Sequence, residues 1–248
     1  MKVAAIIPAA GAGVRMQHKT PKPYLMLAGQ PILAHTLSCF EAAPEVHEVT
    51  LVVHPKDLDR CQEKVIAPFA FKKVLRLVPG GKERQDSVYN ALKVLQKDED
   101  VDIILVHDGV RPFINRDHIR RVIQAARKHG AAILGWPAQD TLKKISPNGE
   151  VVKTLDRANV WQIQTPQAFQ VHLLWRAFLE AYSRNFYGTD EASLMEEIDQ
   201  TVVVVKGSPL NLKITTREDL QIAEAILAVK KTLGEDQTPQ SRSREKDA

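Results

Sequence analysis

Short apolar runs alternate with longer amphipathic segments along most of the chain. Six runs rich in Val, Ile and Leu predict strands, at 3–8, 49–54, 74–78, 103–107, 131–137 and 201–205. Apolar residues that recur every three or four positions predict helices, at 32–42, 58–67, 86–95, 116–128, 171–182 and 217–233. Because continuously apolar strands are typical of sheets covered on both faces, we predict an α/β fold with a doubly wound, mostly parallel, Rossmann-like sheet.

The alternation changes after the fifth predicted strand. Polar and apolar residues alternate over 140–154 around a Pro-Asn-Gly turn, which is the pattern of a β-hairpin. A polar hairpin inserted into such a domain needs a surface to rest on, and a second subunit is a natural candidate. We therefore predict one domain over 1–233 with an inserted arm at about 138–160. The polar, patternless residues 234–248 are expected to form a disordered tail.

The composition excludes several classes of protein. The 248 residues are 44% hydrophobic and 26% charged, as in ordinary soluble proteins, and no apolar run reaches the roughly 18 residues that a membrane span needs. The two cysteines, Cys39 and Cys61, form neither a disulfide framework nor a metal-ligand set, so we expect a reducing cytoplasm. The net charge of +4 is spread along the chain without a basic helix, which favours small anionic substrates over nucleic acid.

The strongest local signal directly follows the first strand. Residues 8–16 read Pro-Ala-Ala-Gly-Ala-Gly-Val-Arg-Met, and Lys22 follows shortly after. A Gly- and Ala-rich turn lets backbone amides approach phosphates, while Arg15 and Lys22 would neutralise a triphosphate. The segment lacks the third glycine of a dinucleotide-binding fingerprint, which counts against an NAD-binding protein. No Gly-Lys-Ser/Thr follows, which excludes a P-loop kinase. The alternative is an ordinary turn with two solvated basic side chains.

Two further segments follow predicted strands. Asp108 stands at the carboxyl end of an apolar strand, where ligands gather in open α/β sheets, and would anchor Mg²⁺ beside a triphosphate. The alternative is an aspartate that caps a turn, and the adjacent His107 is interpreted as structural. Gly80-Gly81 precede a predicted helix, and Ser87 lies in its first turn, where anions are favoured.

Together these segments resemble the 2-C-methyl-D-erythritol 4-phosphate cytidylyltransferase family, the CTP-using enzymes of the non-mevalonate isoprenoid route. Each motif alone is modest evidence, whereas their ordered combination from residue 3 to about 230 is specific to that family. The matching segments are 8–11 with Arg15-Met16, Pro21-Lys22, Gly80-Gly81 with Arg84 and 86–88, His107-Asp108 with Arg111-Pro112, 165–167, 189–193 and 211–215.

The resemblance implies a nucleotidyltransferase fold, a homodimer with exchanged arms, and Mg²⁺-dependent transfer of CMP from CTP to methylerythritol phosphate. By this resemblance the residues that hold CTP are Ala9, Ala10, Gly11, Gly81 and Ser87. The implied catalytic residues are Arg15, Lys22 and Lys213, and Asp108 would bind the metal. The acceptor would meet Asp108, Arg111 and Thr189 of one subunit, with Thr141 and Arg157 supplied by the partner subunit.

Two other functions remain open from the residues. A ribitol 5-phosphate cytidylyltransferase would share the fold; residues 8–11 favour the isoprenoid family, although 107–113 also has ribitol-type character. A non-catalytic nucleotide-binding regulator would keep the loop glycines and lose Lys22, Asp108 or Lys213, and all three are present. An NAD-dependent oxidoreductase is disfavoured because no acidic residue ends the second strand.

Overall fold

The computed structural model describes residues 1–11, 20–96 and 100–233. Its strands are β1 (Lys2–Pro8), β2 (Met26–Leu27), β3 (Gln30–Pro31), β4 (Glu48–Val53), β5 (Val74–Pro79), β6 (Val101–Val106), β7 (Ala131–Pro137), β8 (Lys143–Ile145), β9 (Val151–Thr154), β10 (Trp161–Gln170) and β11 (Val203–Lys206). Its helices are α1 (Ile32–Glu41), α2 (Leu58–Cys61), α3 (Ala67–Phe69), α4 (Arg84–Leu95), α5 (Arg116–His129), α6 (Val171–Ser183), α7 (Glu191–Glu196) and α8 (Arg217–Thr232). The predicted tail lies outside the described residues.

A mostly parallel sheet forms the centre of the fold. Seven of the described strands pair in the order β11-β7-β10-β6-β1-β4-β5. The β1, β4, β5 and β6 pairings are parallel, as is the pairing of β7 with β11, whereas β10 runs antiparallel to both of its neighbours. This arrangement confirms the predicted α/β fold class.

The two faces of the sheet are covered by different helices. Along β1, Val3, Ala5 and Ile7 enter one apolar cluster, which also contains side chains of α1, α2 and α5. The alternate residues Ala4 and Ile6 enter a second cluster with side chains of α4, α6 and α7. Since successive side chains of a strand point to opposite faces, a strand segment buried on both sides must be apolar at every position, as β1 is after Lys2.

The arm forms a separate two-stranded sheet. Strands β8 and β9 pair antiparallel, with Lys143 opposite Thr154 and Lys144 opposite Lys153. Gly149 has φ of +84° in the turn, a conformation that glycine adopts without steric cost. Nearly all side chains over 139–160 are exposed within the chain, including Val151 at 63%. The hairpin predicted from the alternating pattern is therefore present and makes little contact with its own domain.

Several boundaries differ from the prediction. The strand β10 was not predicted, because Pro166 and several glutamines hide its alternation, although 164–169 is buried. The helix predicted over 58–67 is broken by a π-helical turn at Gln62–Ile66. Helix α4 begins at Arg84, two residues before the predicted start. Within the described ranges, no helix combines the length and apolar character needed to cross a bilayer.

Candidate active site

The candidate site lies where four parallel strands end. The loops after β1, β4, β5 and β6 line a cleft of about 450 Å³, within the roughly 300 to 1,000 Å³ typical of small-molecule sites. This is the carboxyl edge of the sheet, where ligands bind in open α/β folds. The cleft walls hold these predicted site residues: Ala9, Ala10, Gly11, Lys22, Gly81, Ser87, Asp108 and Lys213.

Two glycines of the loop after β5 allow close packing, one against the loop after β1 and the other against the start of α4. A Cβ on Gly80 would lie 2.4 Å from the Cβ of Ala10, and a Cβ on Gly81 would lie 2.3 Å from that of Asp86. Neither distance is sterically possible, so both positions require glycine. A Cβ on Gly11, which lines the cleft, would meet no atom of the described residues within 4 Å. Within the part of the chain that the structure describes, the Gly11 backbone is therefore open to a ligand.

Local hydrogen bonds fix the loop that precedes α4. The Gly81 amide donates to Ser87 Oγ at 3.1 Å, and the Ser87 hydroxyl donates to the Glu83 carbonyl. Glu83 and Asp86 form a reciprocal capping box at the start of the helix. The Ala9 amide donates to the Val52 carbonyl at 2.7 Å, so the fold already uses that group. The predicted nucleotide residues are thus brought together on a rigid frame.

Asp108 is the centre of a charged cluster beside these loops. Its Oδ2 lies 3.0 Å from Lys213 Nζ and 3.2 Å from Arg111 Nε, and its Oδ1 lies 3.4 Å from Arg84 Nε. Burial alone would raise the pKa of Asp108, but Arg84, Lys213 and Arg111 together hold that pKa well below its usual range. One ionised carboxylate therefore binds three cations.

A buried hydrogen-bond chain holds Asp108 and Arg111 in place. The Asp108 amide donates to Thr165 Oγ1 at 3.1 Å, and Thr165 Oγ1 lies 3.1 Å from His107 Nδ1. The other ring nitrogen, Nε2, lies 3.0 Å from the Arg111 carbonyl, which can only accept. The proton of His107 is thus assigned to Nε2, and the Thr165 hydroxyl donates to Nδ1. Burial lowers the pKa of His107 to about 4, so the ring is neutral and structural, as the sequence indicates.

A second pocket adjoins the cleft on the far side of Asp108. Arg111, Thr189 and Lys213 line it, together with Gln167 and Asp190. The Gln167 carboxamide donates to Asp190 Oδ2 at 2.7 Å and accepts from the Ala192 amide at 3.1 Å. The predicted acceptor residues of this chain therefore lie in one pocket, next to the nucleotide loops.

Sequence reasoning assigned no role to three residues that line this pocket or bind its lining residues. Arg84 joins the two sides of the site, because its Nη1 donates to Glu191 Oε1 at 2.7 Å while its Nε faces Asp108. Asn211 donates to the Thr165 carbonyl at 2.8 Å, and its own carbonyl accepts from Arg111 at 2.8 Å. Arg84, Glu191 and Asn211 all lie in the segments that carry the family resemblance, which is the signal that could have found them.

Two of the described site residues that the sequence predicts line neither the cleft nor the second pocket. Thr141 and Arg157 lie on the exposed arm and are absent from the described side chains that line either pocket. The Arg157 guanidinium donates to the Gln139 carbonyl at the base of the arm. Arg15 lies outside the described residues. The position of Thr141 and Arg157 is compatible with the prediction that they serve a second subunit.

The acidic residues of the site suit a metal ion that takes most of its ligands from substrate phosphates and water. Among the described residues, no group of three or more His, Cys, Asp or Glu side chains could hold a metal ion. Asp108 is ionised, and its Oδ1 has a long 3.4 Å contact with Arg84, so this oxygen could coordinate a cation. Mg²⁺ commonly takes one or two carboxylates and completes its shell with substrate phosphates and water.

Comparisons with known proteins identify the family. A sequence profile of the 2-C-methyl-D-erythritol 4-phosphate cytidylyltransferase family matches residues 3–229. The chain belongs to this family. The cytidylyltransferase of Syntrophus aciditrophicus is 46% identical over 227 residues, a match that covers 91% of this chain and 96% of that relative. The cytidylyltransferase of Geotalea uraniireducens is 44% identical over 227 residues and covers 92% and 97% of the two chains.

Solved structures of the family share the fold. The 4-diphosphocytidyl-2C-methyl-D-erythritol synthase of Anaerococcus prevotii is 34% identical with a TM-score of 0.80, and the match covers 92% of this chain and 96% of that one. The cytidylyltransferase of Francisella tularensis is also 34% identical, with a TM-score of 0.78 and coverage of 91% and 99%. Membership of this cytidylyltransferase family makes the chain an enzyme, and the regulator alternative is set aside.

Proposed function

We propose that the chain transfers CMP from CTP to the phosphate of 2-C-methyl-D-erythritol 4-phosphate, giving 4-diphosphocytidyl-2-C-methyl-D-erythritol and pyrophosphate. The observation that carries this proposal is the cluster of Arg84, Arg111 and Lys213 around Asp108. This cluster stands between the nucleotide loops and the pocket of Thr189. A reaction that joins two phosphorylated substrates needs positive charge at that junction.

The chemistry requires charge neutralisation rather than a general base. An acceptor phosphate oxygen forms a bond to the α-phosphorus of CTP, and the bond from that phosphorus to the bridging oxygen breaks as pyrophosphate leaves in line. The nucleophile is already an anion, so no proton has to be removed. Lys213 and Arg111 approach the acceptor phosphate from one side, and Lys22 approaches the triphosphate from the other. Positioning and preorganised charge therefore account for most of the rate enhancement.

Mg²⁺ completes the proposed site. Asp108 Oδ1 would hold the ion together with oxygens of the triphosphate, and the ion would neutralise triphosphate charge. The cations on Asp108 are then available to the substrates, because each phosphate group that enters offers them new oxygen partners. Arg15, from the sequence, would add a further cation to the triphosphate.

We place the active form in a homodimer whose arms reach the partner's clefts. The support is the hairpin, whose apolar side chains Ile145, Val151 and Val152 are 49%, 63% and 57% exposed. Apolar side chains of this number on one short arm usually mark a contact surface. The cytoplasm is the proposed location, supported by the two cysteines, which are both buried and unpaired.

Pyrophosphate release with purified protein, CTP and Mg²⁺ tests the reaction. Methylerythritol phosphate and ribitol 5-phosphate are compared in parallel, with UTP replacing CTP as a matched control. We expect rapid release with methylerythritol phosphate and CTP alone. A preference for ribitol 5-phosphate would leave the role of the charge cluster unchanged and contradict the proposed acceptor. Absence of release with either acceptor would overturn the reaction itself.

A further inference from the structure

Three consecutive residues at the start of α4 each bind the segment that follows α6. Arg84 donates to Glu191 at 2.7 Å. Gln85 and Asp86 form hydrogen bonds with the loop of residues 184–190 and with the end of α6. The start of α4 carries the nucleotide side of the site, whereas the 184–190 loop carries Thr189 on the acceptor side. The first turn of α4 therefore connects the two halves of the active site.

Gln85 makes the most specific of these connections. Its Oε1 accepts from the Gly188 amide at 2.9 Å, and its Nε2 donates to the Phe186 carbonyl at 3.1 Å. The two ends of one carboxamide thus bind two backbone groups that lie two residues apart, and Gln85 is only 5% exposed. A buried carboxamide with both ends satisfied fixes the position of its partner segment, since a shift would leave buried polar groups unpaired.

The 184–190 loop depends on such contacts for its shape. No helix or strand covers residues 184–190, and Asn185 has φ of +53°. A Cβ on Gly188 would lie 2.1 Å from Ser193 Oγ, so the loop approaches α7 as closely as its backbone permits. Asp86 Oδ1 supports the same region by accepting from the Tyr182 and Tyr187 hydroxyls at 2.8 and 3.1 Å. Thr189 follows Gly188 directly, so the Gln85 bond sets where Thr189 stands.

We propose that Gln85 is a positioning residue that aligns the acceptor with the nucleotide. It contacts neither substrate and acts through the 184–190 loop, which presents Thr189 to the acceptor pocket. The proposal rests on the proposed function, because it takes Thr189 as an acceptor contact. It follows that loss of the carboxamide weakens use of the acceptor while CTP is still bound normally, since Gly81 and Ser87 are held by their own hydrogen bonds.

The variant Gln85→Met tests this proposal, because methionine has a similar volume and cannot form the two hydrogen bonds. We expect the KM for methylerythritol phosphate to rise about tenfold and the KM for CTP to change less than about twofold. Gln170→Met is the matched control, since the Gln170 carboxamide also binds main-chain carbonyls, those of Ala126 and Arg127, at a site remote from the cleft. Both KM values should be unchanged in this control.

A double-variant cycle separates positioning from general destabilisation. If Gln85 acts through Thr189, adding Gln85→Met to a Thr189→Ala enzyme will change the acceptor KM little further. Equal increases in both KM values, or additive effects in the double variant, would overturn the proposal. If Gln85→Met fails to fold, Tyr187→Phe weakens the same loop from its exposed side and should raise the acceptor KM about twofold. Failure of the wild-type enzyme to release pyrophosphate with methylerythritol phosphate would instead overturn the proposed function.

Discussion

Asp108 shows how one side chain organises the charge of the site. Three cations that line one pocket would repel one another, and the ionised carboxylate at their centre offsets that repulsion. Because the hydrogen bond from its amide to Thr165 fixes the Asp108 backbone, the cations are placed before substrates arrive. Preorganisation of this kind lowers the reorganisation that the transition state would otherwise require.

Loss of Lys22 or of Lys213 should lower turnover. We expect Lys22→Ala and Lys213→Ala each to reduce kcat by about 10² to 10³, by analogy with removal of a single transition-state donor. Lys93→Ala provides the control, because Lys93 lies over the Tyr89 ring on the outer face of α4. Steady-state pyrophosphate release measures the effect. A Lys22→Ala or Lys213→Ala enzyme with near-normal kcat would contradict the assignment of that lysine.

His107 should make the folded state sensitive to mild acid. Its pKa is about 4 in the folded protein, compared with about 6.5 in an unfolded chain. A depressed folded pKa contributes stability that is present above pH 6.5 and is lost as the pH falls from 6.5 towards 4. The free energy of unfolding should therefore drop by about 2 kcal/mol between pH 7 and pH 5 because of this residue.

Urea denaturation at pH 7 and pH 5 measures this dependence. The variant His107→Gln keeps a polar side chain without a titrating ring, so the part of the decrease due to His107 should disappear. His129→Gln serves as a control, because His129 is exposed at the end of α5. An equal pH dependence in the wild type and His107→Gln would show that His107 titrates normally in the folded protein.

The sequence predicts single site residues better than it predicts their partners. Asp108 could be assigned because an apolar strand precedes it and strand ends meet at one edge of a sheet. The Arg84–Glu191 ion pair joins residues 107 positions apart, and no local pattern contains such information. The Thr165–His107 bond is similar, since it needs the unpredicted strand β10 beside β6.

At the scale of elements, periodicity works where packing is uniform. Strand β7 and helix α8 were predicted to within one residue. In each element the hydrophobic pattern is uninterrupted, because the packing environment does not change along its length. Strand β10 was missed because it changes environment along its length, from exposed at Gln162 to buried at Gln164 and beyond. Its register also shifts between Gln164 and Gln167, so a strict alternation would not be expected.

Substitutions of two glycines in neighbouring loops allow the effect of loop packing to be distinguished from the effect of ligand contact. Gly80→Ala should place its Cβ against Ala10, push the two loops apart, lower the melting temperature and raise the KM for CTP about tenfold or more. Gly11→Ala should leave the melting temperature nearly unchanged, because no atom of the described residues lies within 4 Å of its Cβ. If the Gly11 backbone faces CTP, this variant should still raise the KM for CTP.

Thermal melts together with CTP titration of both variants distinguish the two effects. A Gly11→Ala enzyme that is both stable and normal in its KM for CTP would remove Gly11 from the nucleotide site. An unchanged melting temperature in Gly80→Ala would show that the two loops can separate without cost, contrary to their close contact.

At the scale of the whole molecule, the proposed dimer would divide each active site between two chains through the arm. Arg157 lies on the arm and does not line the cleft of its own chain, whereas Lys213 does. In the proposed dimer, a cleft is complete only when its own Lys213 and its partner's Arg157 are both present. Heterodimers of Arg157→Ala and Lys213→Ala chains should therefore contain one complete cleft and one that lacks both side chains.

Mixing the two inactive variants tests this division. Random exchange of subunits makes about half of the dimers mixed, and each mixed dimer has one working cleft of two, so about a quarter of wild-type activity should return. Recovery should follow the rate of subunit exchange and disappear if each variant is crosslinked before mixing. If Arg157 served its own cleft, every cleft in the mixture would lack one of the two side chains. Activity would then stay at the level of the separate variants, whatever the degree of exchange.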